Sequence, residues 1–211
     1  MLTDPNGMDD YYDFQGNYLG TNQEKTDFIY VTKDFNRLED GRCVVGIDTR
    51  VALPDADLGS EAYSKIIGNS LKMMGINMDN FVNNKVQVAV WHYFGGRKIT
   101  EYYTDDANTS VGDALAITDR EQSNGALITV NIFPEGTEER SLISTRANIQ
   151  SLVGDHEYKG HYINKWQHID NVPDPTYDFQ IQSPIWKKTT QEFKDYINKT
   201  IKHISPHDLM T

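Results

Sequence analysis

Within this chain of 211 residues, the stretch Asp155-His156-Glu157-Tyr158-Lys159-Gly160-His161 places the tightest demand on the fold. It gathers two imidazoles and a carboxylate at the end of an amphipathic helical pattern whose buried side is Leu142, Ile149, Leu152 and Val153. Neutral imidazole nitrogens are common zinc ligands, and a glutamate beside a zinc-bound water can act as its general base. The familiar pattern H-E-x-x-H sets the histidines four apart, on one helix face. Here they stand five apart, about 140° round a regular helix, too far to share one small ion. The stretch therefore requires a π-type turn or a break if both rings are to meet. Gly160 stands where such a distortion is cheapest. The competing reading is a helix end with two solvated or helix-capping histidines.

The elements before this helix set an α+β order. Tyr11 to Gly20 carries short aromatic segments around Gly16-Asn17, and Asn6-Gly7 precedes it, which predicts a small hairpin. Phe28-Ile29-Tyr30-Val31-Thr32 and Cys43-Val44-Val45-Gly46-Ile47 read as strands separated by Asp40-Gly41. From Ser60 to Met74, apolar residues recur every three or four positions, giving a helix ended by Gly75. Strands over 86–94 and 98–103 follow, turned by Gly95-Gly96, and His92 within the first is read as structural. A last strand over 126–133 is stopped by Pro134, and Ser141 or Ser144 is expected to cap the helix that reaches His156. Tyr177 to Gln182 is open between strand and short helix. Thr189 with Glu192 matches a capping box for a C-terminal amphipathic helix through Phe193, Tyr196, Ile197, Thr200 and Ile201.

Charge and hydropathy exclude several classes. A net charge of −11 argues against nucleic-acid binding, which needs a basic face. No apolar run is long enough to span a membrane. The start Met1-Leu2-Thr3-Asp4-Pro5 lacks the basic and apolar regions of a signal peptide, so export would need an address carried elsewhere in a larger chain. The single Cys43 excludes an intramolecular disulfide framework.

Two resemblances add to this. H-E-x-x-G-H over His156 to His161 resembles the motif of the dipeptidyl peptidase three family of zinc exopeptidases, which has the same one-residue expansion. That resemblance covers six residues and implies His156 and His161 as zinc ligands and Glu157 as base. The run from Asn131-Ile132-Phe133-Pro134 through Gly160-His161 to Gln180 and Trp186 resembles toxin-like C-terminal domains of bacterial Rhs proteins. Asp4-Pro5-Asn6-Gly7-Met8 and the following hairpin are similar to the end of an Rhs-repeat core. These likenesses imply a junction hairpin or tail over 1–24 and a zincin-like α+β domain over 25–211. The sheet would be mixed or antiparallel, with the H-E-x-x-G-H helix and a C-terminal helix beside it. They imply an effector secreted or translocated within a larger protein, with a peptide or protein substrate and a cognate immunity protein as partners.

A catalytic zinc takes three protein ligands and a water. The third ligand is open between His168, which no glycine turns back toward the motif, and Asp178, which the loop through Pro175 can return. In the Rhs-like domains a Tyr-acid-x-Gln segment occupies the corresponding place, here Tyr177-Asp178-Phe179-Gln180. Tyr177 or Tyr162 could donate to a developing oxyanion. The function expected is a zinc-dependent metallopeptidase or amidase. The alternative is a non-catalytic interaction module, or a decayed toxin that keeps the fold.

Overall fold

The computed structural model describes residues 9–22, 26–39, 43–94, 97–102, 114–119, 124–167 and 174–204. It is an α+β structure with two four-stranded mixed sheets. In the first sheet β1 (Asp10–Tyr12) turns through Gly16 (φ 77°) into β2 (Tyr18–Thr21), the expected hairpin. β1 also pairs in parallel with β3 (Ile29–Thr32). A two-stranded ribbon, β4 (Asn36–Arg37) and β5 (Cys43–Val44), leads to β6 (Arg50–Ala52), which closes the order β2-β1-β3-β6. The expected strand over 43–47 shortens to that ribbon, since Ile47–Thr49 turns as a 3-10 helix.

Helix α1 (Ser60–Met73) buries Ala62, Tyr63, Ile66, Ile67 and Leu71, the face its periodicity predicts. It packs against β7 (Gln87–Phe94), the first strand of the second sheet. β7 pairs antiparallel with β8 (Arg97–Tyr102) and in parallel with β10 (Leu127–Ile132). β9 (Ala116–Asp119) then runs antiparallel along the other edge of β10. All six residues of β10 are buried, as expected of a strand covered on both faces.

The β1–β2 hairpin is not set apart from the rest. Tyr12, Ile29 and Val31 share one core with α1, β7 and β10, so a boundary at residue 24 does not describe the packing. Asp10 is buried and paired with Arg146, 136 positions later, at 3.0 Å. The residues of the Asp4–Met8 motif lie outside those described.

After the short α2 (Glu138–Ser141), α3 (Arg146–Ile149) begins the helix that carries the motif. Its cap is Thr145, whose hydroxyl accepts from the Asn148 amide, and Thr137 caps α2, in place of the expected serines. Arg146 holds this helix start to the first sheet: one guanidinium nitrogen donates to Asp10 and another to Asp27 at 2.7 Å. Asp27 also accepts from the Ala147 amide. α4 (Pro175–Gln182) and α5 (Gln191–Ile204) complete the chain. Thr190 caps α5 by accepting from Phe193, one residue beyond the expected Thr189, whose hydroxyl instead donates to the Trp186 carbonyl.

Candidate metal centre

From Gln150 to Ile163 the motif helix is a π-helix, continuous with α3. The i→i+5 bond that defines this geometry sets residue i+5 over residue i, and it is seen directly where Asn164 donates to the Lys159 carbonyl at 3.0 Å. The five-residue spacing of the histidines thus becomes a vertical neighbour relation. Their ring centroids lie 4.9 Å apart with planes at 83°. Ligand atoms of His156, Glu157 and His161 all lie within 4.8 Å of one another. The three side chains are 6%, 3% and 9% exposed, which disfavours the reading of solvated helix-end histidines.

Gly160 takes no positive φ, so left-handed backbone is not what selects glycine there. It makes room for α4. A Cβ at Gly160 would overlap Thr176 Cγ2 and approach Thr176 Cβ to 3.3 Å. Gly154, one turn and more earlier, receives α1 in a similar way, with Met74 and Leu71 over its Cα. Two glycines thus let neighbouring helices close onto the π-helix from either end of the site.

Hydrogen bonds fix the imidazoles. His161 Nδ1 donates to the Trp166 carbonyl at 2.9 Å, because a carbonyl can only accept. His156 Nδ1 meets Gln180 Oε1 at 3.1 Å. The amide orientation of Gln180 follows from its other end, where Nε2 donates to the Ser151 carbonyl and hydroxyl at 3.3 and 3.1 Å. In its neutral form each ring is therefore the Nδ1–H tautomer, whose Nε2 carries the lone pair that a metal requires. The Thr118 hydroxyl of β9 donates to Glu157 Oε2 at 2.7 Å.

Asp178 is exposed on α4 and is not among the three residues whose ligand atoms converge. The segment that contains it is a helix capped by Asp174, which accepts from the Thr176 amide, and a helix turns Tyr177 and Gln180 to one face and Asp178 to another. The Tyr177 ring lies 4.4 Å from that of His156. Burial first, then the nearby charges of Glu157 and Asp174, raise the Tyr177 phenol well above its ordinary value, so it is a hydrogen-bond donor at neutral pH. Tyr162 stacks on Tyr158, which stacks on Phe81, and so belongs to an aromatic column. His168 lies outside the described residues, and His92 is placed by its backbone alone, in β7.

Thr118 and Ser151 escape a reading by sequence, since neither belongs to a motif and β9 has no strong alternation. Gln180 had a signal, its place at the end of the Tyr-acid-x-Gln segment. The cluster could hold a metal ion: two imidazole nitrogens, each ring oriented by a carbonyl, lie buried with the Glu157 carboxylate, which either completes the donor set or stands beside it as a base. Compared with known protein families, curated proteins and solved structures, the chain matches none.

Proposed function

We propose that this chain is a zinc-dependent hydrolase of peptide or amide bonds with a zincin-like centre. His156 and His161 hold the ion and Glu157 handles the proton. The observation that carries the reading is the pair of Nδ1 bonds, to Gln180 and to the Trp166 carbonyl, which orient two imidazoles in one buried cluster so that in their neutral form both present Nε2 as an acceptor. When bound, zinc polarises the scissile carbonyl and lowers the pKa of a coordinated water. Glu157 accepts the proton of the attacking water and returns it to the leaving amine, while Thr118 keeps one of its oxygens in place. Tyr177, held as a neutral phenol, donates toward the oxyanion. His161 and Gln180, which carry the Rhs-like resemblance, both contact His156, one by its ring and the other by a hydrogen bond, which supports an effector origin with a cognate immunity protein as partner.

The test begins with zinc content after dialysis. Wild type should retain about one ion, whereas His156→Ala and His161→Ala should each retain little. Equal content in all three would remove the site. Glu157→Gln should keep zinc and lose hydrolysis by about 10²–10⁴-fold, the usual loss for a general base. Loss of zinc in that variant would make Glu157 the third ligand instead. The second reading, an interaction module, draws on Phe35, Leu38 and Val44, which are exposed around the β4–β5 ribbon. It requires neither zinc nor Glu157.

A further inference from the structure

Beside the cluster lies a cavity of about 220 Å³ with a divided lining. His156 and Glu157 contribute to it, and Leu115, Leu152 and Ile197 supply apolar walls. Those walls come from the residue just before β9, the π-helix and α5, so three parts of the chain shape it. We infer that this cavity is the specificity pocket of the proposed hydrolase and takes a leucine- or phenylalanine-like side chain next to the bond that Glu157 attends. The inference rests on the proposed function for its orientation, and on the cavity alone for its chemistry.

Size and charge both select this class. An apolar protein cavity of about 150 Å³ already admits benzene, so an isobutyl or benzyl group fits here. A glycine or alanine substrate would leave Leu115, Leu152 and Ile197 uncovered and forgo their burial. A lysine or arginine head would be desolvated against those walls, with Glu157 as the only carboxylate among the described lining residues. Its pairing there would also occupy the base. α5 controls the depth: Thr200, half-buried one turn beyond Ile197, lines the cavity and donates to the Tyr196 carbonyl at 3.0 Å. On the opposite wall, Ala116 of β9 leaves room that a longer side chain would fill.

Two probes separate the pocket from the metal. On the metal-free full chain, N-acetyl-leucinamide should shift the methyl NMR signals of Leu115, Leu152 and Ile197, and N-acetyl-glycinamide should not. On zinc-loaded protein, leucine hydroxamate should bind about 10–100-fold tighter than glycine hydroxamate, the selectivity that burial of one such side chain gives. Thr200→Phe and Ala116→Leu fill the pocket from opposite walls, so each should collapse that ratio toward one and abolish the methyl shifts; either variant suffices if the other fails to fold. Methyl signals indifferent to the leucine probe, or equal hydroxamate affinities, would overturn the pocket. Leucine-dependent shifts in a protein that takes up no zinc would sustain the pocket and sink the hydrolase reading.

Discussion

His156 and Gln180 are joined by a 3.1 Å hydrogen bond between Nδ1 and Oε1, and the other end of the same amide is tied to Ser151 one turn before the histidine. The bond links the π-helix to α4, so the orientation of a candidate ligand depends on the docking of a separate helix. Outer partners of this kind typically contribute about 10–100-fold to metal affinity. Gln180→Ala should lower zinc affinity by that range while leaving the metal-free fold intact enough to titrate. Competition with a chromophoric chelator measures it. Unchanged affinity would show that the His156 ring is positioned by packing alone.

Gly160 offers a test of helix docking rather than of backbone freedom. Because Thr176 Cγ2 fills the place of a Cβ, Gly160→Ala should overpack the interface and destabilise the protein by about 1–3 kcal/mol. Thr176 is β-branched and fully buried, so it cannot swing aside cheaply. Thr176→Ser removes the offending methyl, and the double variant should recover much of the loss in a thermodynamic cycle. Urea midpoints of the four proteins decide it. A stabilised Gly160→Ala protein would mean that the helices stand further apart than they do here.

The motif itself was legible because its chemistry and its misfit share six residues: a five-residue spacing on a helix demands distortion, and a π-helix supplies it. α1 and α5 were legible from periodicity, as were β7, β8 and β10 from their β-branched runs. What the sequence withheld is long-range. Nothing local says that Thr118 reaches Glu157, that Thr176 lies over Gly160, or that α5 walls a cavity. The segment over 175–182 was ambiguous because its alternation suits a strand, whereas Asp174 as cap and Pro175 at the first turn favour helix. That choice decided which of its side chains faces His156.

Alkaline pH should weaken the fold through buried phenols. Burial is the main cause that pushes Tyr63 up to about 12, with Arg140 opposing it. A phenol raised in the folded state is ionised first in the unfolded chain, so its contribution is intact below about pH 10 and falls as pH rises toward 12. The limiting slope for one such group is about 1.4 kcal/mol per pH unit. Unfolding free energies between pH 9 and 12 should decline, and Tyr63→Phe should flatten the decline while losing the bond to the Ala56 carbonyl. An equal slope in both proteins would assign alkaline unfolding to other groups.

Arg146 and Asp10 make the strongest claim about how the first hairpin belongs to the molecule. Both are buried, and their 3.0 Å pair joins β1 to the start of the helix that carries His156 ten residues later. Removing one member of a buried pair typically costs about 3–5 kcal/mol, because the other charge is left uncompensated. Asp27, which also binds Arg146 at 2.7 Å, should hold Asp10→Ala near the lower end of that range. Arg146→Ala takes the shared cation from two carboxylates and should be the more damaging variant. Replacing Asp10 and Arg146 together with leucine and methionine should restore part of the loss, although Asp27 then keeps only its bond to the Ala147 amide among these contacts. Deleting residues 1–21 should therefore destroy the cooperative transition rather than trim an appendage, since Tyr12 leaves the core with it. A deletion protein that still unfolds sharply, with zinc affinity unchanged, would show that the hairpin is dispensable and that Arg146 can be satisfied by Asp27 alone.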